Sequence, residues 1–537
     1  MPSKKYQQLA GAFPLDLRNI KSDSKDTFLL SAKNVICRDG YIELRKHINK
    51  VVPFNDPVEF LYDFEDLDII VAATDDTIYL LNHRFELIDS QDGFSDGNWV
   101  GCVFNHRLYL ANSLDPSVMI WSPSEGVYNI DTVDVTGAGT VTFSFISVVN
   151  SQLVFGLANK MEFWYLAPGN VTGQLSLFDL TVAIGTTRIG GNLVQITNVP
   201  RDSGMGMQDY VAMFTDKGEI IVYQCTDFSD PNKITYHGTY LTMPFIGYNF
   251  IQKYMNDLLL MTIGGVTTFQ DVVSAGVSVS TDRLFSAPIN DSWVENNFNL
   301  NGYKSLIVPQ EDFIMFNIPK GDNKYNQWVV DLSSHKWSSF NSIDPLCFMN
   351  HDGKLYFGKG DGIYEYTNDG IPSDQFIISE IQTSYSNFNT INSKGFKLFN
   401  ARVLATGNLN VNYSILKDLE DTTYYDFVSE GGDLVPSVPG DDFYFALSED
   451  ETDPIDQEHE DLLAYWWIDN ENYDNLPNHR TAYWAVGDSG NFSEQTKWHS
   501  GTGYARNFSL KLIMKTNNIS YKFYDLTYHF DESTGAL

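Results

Sequence analysis

Residues 67–81 read LDIIVAATDDTIYLL and residues 105–121 read NHRLYLANSLDPSVMIW. Each is an apolar run of strand length, a polar turn and a second apolar run, which is the signature of a β-hairpin. The phrase recurs as NSQLVFGLANKMEFWYL at 150–166, QDYVAMFTDKGEIIVYQ at 208–224, MNDLLLMTIGGVTTF at 255–269, EDFIMFNIPKGDNKYNQWVVDL at 311–332 and NHDGKLYFGKGDGIYEYT at 350–367. The starts lie roughly 40 to 60 residues apart, the length of one four-stranded propeller blade with its loops. Asp216-Lys217-Gly218, Gly264-Gly265 and Asp361-Gly362 supply turn residues that tolerate positive φ between strands. The pattern predicts an all-β chain, a β-propeller-like array of six or seven hairpin blades.

Composition agrees with that class. Hydrophobic residues make up 43% of the 537 and aromatics 14%, while only 19% are charged, so β-favouring side chains outweigh the long charged ones that build helices. The length exceeds what one hydrophobic core supports, which calls for several domains or a repeat architecture. Three regions are expected: an N-terminal arm with the first strands at 1–50, the propeller-like domain at 51–400, and an additional C-terminal β-module at 401–537. That module reads as strand at 401–415, 481–486 and 504–530, and it carries an acidic insertion at about 417–480 whose densest part begins at Glu449. A charge run of this kind reads as a solvated loop, with no EF-hand spacing to make it a Ca²⁺ site.

The formal net charge is −34. A chain so acidic repels the phosphate backbone instead of neutralising it, which argues against static nucleic-acid binding. It suits a wall past which DNA slides. Residues 1–19 hold Lys4 and Lys5 but no apolar core long enough for a signal peptide, and the best apolar runs, 257–266 and 68–73, are too short to span a bilayer. A soluble protein made inside a cell is expected. Cys37, Cys102, Cys225 and Cys347 are too far apart for a disulfide scaffold or a zinc site and read as buried free thiols.

Candidate chemistry is thin. Gly487-Asp-Ser-Gly490 is similar to the nucleophile turn of a serine protease, but Asn491 stands where a further glycine belongs and His479 is too close in sequence to be its base, so a polar turn is the better reading. The glycines at 137 and 139, 190 and 191, and 204 and 206 lack the strand-before, helix-after setting of a phosphate cradle and read as loops. The dispersed histidines form no zinc motif, and the carboxylates are too numerous for any pair to stand out as a glycosidase couple. Trp466-Trp467 and Trp484 have faces that could stack on sugars, yet large aromatics of a β-protein belong more often to a core or interface. No catalytic, cofactor-binding or metal-ligating residue is expected, and no cofactor.

The order of phrases resembles a family, the tail nozzle or tail hub proteins of short-tailed bacteriophages (podoviruses), also called packaged-DNA stabilisation or tail tubular proteins. PLDLRN at 14–19 with LSAKNVICRDGYIELRK at 30–46 looks like that family's opening. LVFGLANKMEFWYLAPGNVTGQLSLFDL at 153–180 is similar to its aromatic strand and Phe-Asp-Leu segment, and DYVAMFTDKGEIIVYQCTDFSDP at 209–231, YHGTYLTMPFIG at 236–247 and DLLLMTIGGVTTF at 257–269 follow in its order. WVVDLSSHKWSSF at 328–340, GKLYFGKGDGIYEY at 353–366 and QTSYSNF at 382–388 continue it. The resemblance covers about residues 10 to 415, with an echo at 501–537, and the acidic stretch departs from it. It implies a structural virion protein of the viral tail with no catalytic residues to carry over. Such a protein forms a homohexameric ring below the portal and head-to-tail adaptor, with tail fibres or spikes nearby. Its lumen retains packaged double-stranded DNA, then passes it without sequence-specific binding during ejection. Two alternatives are a receptor- or glycan-binding tail adhesin, which predicts affinity for host polysaccharide, and a tail-associated glycan hydrolase, which predicts turnover abolished by single carboxylate substitutions.

Overall fold

A computed structural model describes residues 4–9, 14–17, 28–180, 189–202, 207–275, 279–370, 375–390, 392–407, 409–417, 427–430, 433–436, 479–484, 493–495, 498–500 and 504–532. Nearly all of them lie in strands or in the turns between strands, and the α-helices among them are two short ones, Phe269–Ala275 and Asn290–Val294.

Seven small antiparallel blades follow one another along the chain, six as separate sheets and one as the end of a nine-stranded sheet. Blade 1 holds Phe60–Phe64, Ile69–Ala73, Thr77–Asn82 and Leu87–Asp92; blade 2 holds Val100–Phe104, Arg107–Ala111, Val118–Ile120 and Tyr128–Asn129. Blade 3 is Phe145–Val149, Gln152–Gly156, Glu162–Tyr165 and Ser176–Asp179, and blade 4 is Leu193–Asp202, Met207–Thr215, Glu219–Cys225 and Ile234–Leu241. Blade 5 has three strands, Ile251–Tyr254, Asp257–Thr262 and Gly265–Thr268, and runs on into the helix Phe269–Ala275. Blade 6 comprises Lys304–Val308, Phe313–Gly321, Lys324–Asp331 and Trp337–Phe340. Blade 7 takes Cys347–His351, Lys354–Lys359 and Gly362–Thr367 from late in the chain and its outer strand, His47–Pro53, from near the start.

The seven repeated phrases are the second and third strands of the seven blades. Their unbroken apolar runs follow from two-sided burial. In blade 1 Ile69, Val71 and Ala73 pack toward Trp99, Leu108 and Leu110 of blade 2, while Ile70 and Ala72 pack toward Cys347, Tyr356 and Ile363 of blade 7. The same alternation carries the core onward: Tyr109 to Phe155, Val154 to Met213, Phe214 to Leu259, and Phe313 to Phe357. A strand covered on one face alternates apolar and polar; one covered on both is apolar throughout. Among the described residues no sheet closes on itself. The ring closes because blade 7 packs on blade 1 and borrows the strand His47–Pro53, so the architecture is a seven-bladed propeller with short protected edges.

Turn geometry repeats as well. The first hairpins of blades 1 and 6 turn through short 3₁₀ segments, Glu65–Leu67 and Pro309–Glu311, each ended by an aspartate in the left-handed region: Asp68 at φ 55°, ψ 41° and Asp312 at φ 54°, ψ 41°. Asp and Asn tolerate that conformation better than other side chains.

Beside the ring stands a β-sandwich. One of its sheets prolongs blade 6: the outer strand Trp337–Phe340 is joined in parallel by Leu29–Lys33, and then follow Ile377–Thr383, Phe508–Thr516, Leu409–Lys417 and His479–Trp484. The facing sheet is built on Tyr521–Glu532, flanked by Lys394–Ala405 on one side and by Ile42–Leu44 and Lys4–Leu9 on the other. Phe399, Val403, Phe523 and Tyr528 of this sheet pack against Val411, Tyr413, Leu510 and Leu512 of the first. Position 50 falls inside the ring strand His47–Pro53, and position 400 inside the sandwich strand Lys394–Ala405. Of the acidic stretch, the hairpin Phe427–Glu430 with Asp433–Pro436 is described, and most of its other residues lie outside the described ones.

Candidate functional site

All seven innermost strands begin at one mouth of the ring and end at the other, so residues distant in sequence meet at each mouth. Their side chains bridge neighbouring blades. Ser147 Oγ donates to Gln195 Oε1 at 3.1 Å, Gln310 Nε2 to Asn350 Oδ1 at 3.0 Å, and Asn350 Nδ2 to the Ile307 carbonyl at 2.8 Å. Residues 100–103 and 304–307, on the inner strands of blades 2 and 6, are half-buried.

At the entry mouth three segments bring carboxyls together. Glu59 precedes the inner strand of blade 1, Asp75 sits in that blade's middle turn, and Asp96 lies in the loop into blade 2. The Glu59 N–H donates to the Ala73 carbonyl (2.9 Å), its Oε2 accepts from Asn98 Nδ2 (3.0 Å), and Asp96 Oδ1 accepts from the Asn98 N–H (2.9 Å). Gly97 lets the loop lie against the Thr74 carbonyl, where any Cβ would collide. Burial, then the Asp75 charge, pushes the Glu59 carboxyl up to about 7, and Asp75 shares a hydrogen bond with it. Lys304 Nζ donates to the Glu59 main-chain carbonyl at 2.7 Å, and burial lowers its amine below the ordinary value despite the pull of nearby charges. The arrangement is a pair of neighbouring carboxyls, Glu59 and Asp75, with the Lys304 amine beside it.

At the opposite mouth His351 Nδ1 meets Asp63 Oδ2 at 2.8 Å, joining blades 7 and 1, with the Phe85 ring edge-on to the imidazole. His351 Nε2 is buried and has no hydrogen-bond partner. Sequence reasoning found neither cluster, because each assembles residues up to about 290 positions apart and none carries a motif.

The residues singled out in sequence are scattered. All four thiols are free; Cys37, Cys225 and Cys347 are buried and Cys102 half-buried. Burial pushes Cys37, Cys102 and Cys347 up to about 12 and Cys225 up to about 11, so they are protonated at neutral pH. Gly137, Gly139, Gly190 and Gly191 occupy positive-φ loop positions, as expected of turns. Trp484 ends a described strand, whereas residues 204–206, Trp466-Trp467 and Gly487-Asp-Ser-Gly490 lie outside the described residues. Among the described residues no group of three or more His, Cys, Asp or Glu could hold a metal ion, and no helix is long and apolar enough to cross a membrane.

No protein-family model matches this chain. No curated protein matches it either. Among solved structures it is similar to the RRP9 WD40 repeats, at 9% identity over 60% of this chain and 99% of that one, with a TM-score of 0.36. It is also similar to Chaetomium thermophilum Raptor, at 10% identity over 61% of this chain but only 30% of that one (TM-score 0.36), and to the computationally designed Ika8 protein, at 11% over 59% and 97% (TM-score 0.33). The architecture rests on the sheet order and inter-blade packing described above.

Proposed function

We propose that this chain is a non-enzymatic structural subunit of a short bacteriophage tail, forming a ring below the portal and adaptor that retains packaged DNA and opens for its ejection. The observation that carries the reading is the ordered run of family-like phrases through residues 10 to 415. One physical feature supports it. Residues 417–480 hold nineteen carboxylates against two basic residues, half of the net charge of −34, so several copies around one passage would create a field that keeps phosphates from adhering. In this reading the DNA passage lies between copies, and each propeller is a wall element of the tube.

The test is to add purified protein to DNA-filled capsids that keep the adaptor but lack the rest of the tail, then to image them by cryo-electron microscopy and follow DNA leakage. A ring of propellers under the adaptor, with leakage stopped, is expected. Density at the tail periphery only, with leakage unchanged, would sink the reading in favour of an adhesin.

A further inference from the structure

We propose that the N-terminal strand Lys4–Leu9 is exchanged between copies, so that in the assembled ring it pairs with the Asp525–Phe530 edge of a neighbouring copy. The proposal rests on the reading that copies assemble into a ring, but not on what the ring retains.

The acceptor edge exists without the donor. The long strand Tyr521–Glu532 is held along its other side by Lys394–Ala405, in a register that runs from Lys394 opposite Glu532 to Ala405 opposite Tyr521. A strand fixed on one side presents a row of main-chain donors and acceptors on the other, ready to pair with any extended segment.

The donor is attached almost wholly by its backbone. It pairs with that edge from Lys4 opposite Phe530 to Leu9 opposite Asp525. Lys4, Lys5, Gln7 and Leu9 are exposed, Leu9 at 59%. Inward, the Tyr6 ring lies on Phe388, and Lys4 adds a surface ion pair with Glu532. Gln8 is buried at 4% exposure, and neither atom of its carboxamide has a hydrogen-bond partner. A buried amide without partners opposes the strand that carries it. The other N-terminal strands differ: Leu29 and Ala32 of Leu29–Lys33 and Val35 of Val35–Cys37 are core residues.

The tether fixes which copy can receive the strand. Pro14–Leu17 is fastened to the body: Leu15 is buried, the Asp16 N–H donates to the Leu29 carbonyl at 3.1 Å, the Leu29 N–H to the Pro14 carbonyl at 2.8 Å, and the Leu17 N–H to the Pro288 carbonyl at 2.7 Å. From Leu9 to Pro14 an extended chain spans at most about 18 Å. That reach limits the donor to its own body or an adjacent one. A second copy offers the same edge in the same register, so exchange costs no contact and links the ring without new surface, as in domain swapping.

The test is a pair of cysteines at opposed register positions, Lys5→Cys with His529→Cys, each single variant serving as control. After oxidation and denaturation, dilute monomer should run as one chain on a non-reducing gel. Assembled protein, at high concentration or on adaptor-bearing capsids, should give a covalent ladder of two or more chains, with at least half of the material above monomer size. An assembled ring whose disulfide stays within single chains overturns the proposal, as does a chain that never associates. As a second measurement, protein lacking residues 1–9 should bind a synthetic peptide of residues 1–13, and failure to bind would show that the edge accepts no strand in trans. A crosslinked ring that leaks DNA would leave the exchange standing while sinking the tail reading.

Discussion

Glu59 is where a single proton matters. In the folded chain its carboxyl titrates near 7, against an ordinary value of 4.5, chiefly because it is partly buried and then because Asp75 is charged. A carboxyl raised by folding binds its proton more tightly in the native state, so its contribution is most favourable below about pH 4.5, declines as pH rises toward 7, and is unfavourable above. Glu59→Gln should therefore raise the thermal midpoint at pH 8 and change it little at pH 5, measured by differential scanning fluorimetry against wild type. An equal drop at both pH values would mean that the carboxylate is structurally required. Gly156 matters for a different reason. Its φ is ordinary, but a Cβ there would run into the fully buried Phe145 ring on the paired inner strand. Gly156→Ala should cost about 1–3 kcal/mol in urea unfolding, as overpacked cores do. Adding Phe145→Leu should recover part of that loss.

Strands show why some of this architecture was visible in the sequence and some was not. The middle strands of each blade announce themselves because both faces are buried, which leaves unbroken apolar runs such as Ile69–Ala73 and Phe313–Phe316. Inner strands such as Ile251–Tyr254 are half-buried and polar, and outer strands such as Leu87–Asp92 are largely exposed, so neither leaves a pattern. The closing pair of His47–Pro53 with Gly362–Thr367 joins segments some 300 residues apart and was invisible locally. The mouth clusters share that difficulty, since Glu59, Asp96 and Lys304 become neighbours only after the ring exists. The closing strand can be tested along its own length. Ile48 packs against the core shared by blades 6 and 7, whereas Val51 is exposed at a break in register. Ile48→Asp should lower stability by about 2–4 kcal/mol through a charge in an apolar site, while Val51→Asp stays within about 0.5 kcal/mol of wild type. Equal effects would contradict the register.

For the whole molecule, charge is distributed very unevenly. Removing residues 418–478 takes away nineteen carboxylates and no basic residue, bringing the net charge from −34 to −15. Because the ring's core and its closing strand lie outside this stretch, the deletion should leave the main thermal transition of the ring in place while the protein elutes from an anion exchanger at markedly lower salt. Under the proposed tail role, the same variant in the capsid assay should slow ejection at low ionic strength and approach wild type as salt screens the field beyond about 8 Å. Unchanged ejection at low salt would assign the stretch a role other than electrostatic.

The strand that closes the ring also sets a clock on biosynthesis. His47–Pro53 leaves the ribosome early, and its partners in blade 7 follow roughly 300 residues later. At 5–20 residues per second that delay is about 15 to 60 s, during which six blades can form but the circle cannot be sealed and the nascent chain carries a naked seam. Any protease or sticky neighbour present in that interval meets an arc, not a wheel, with its seam exposed until the last blade arrives.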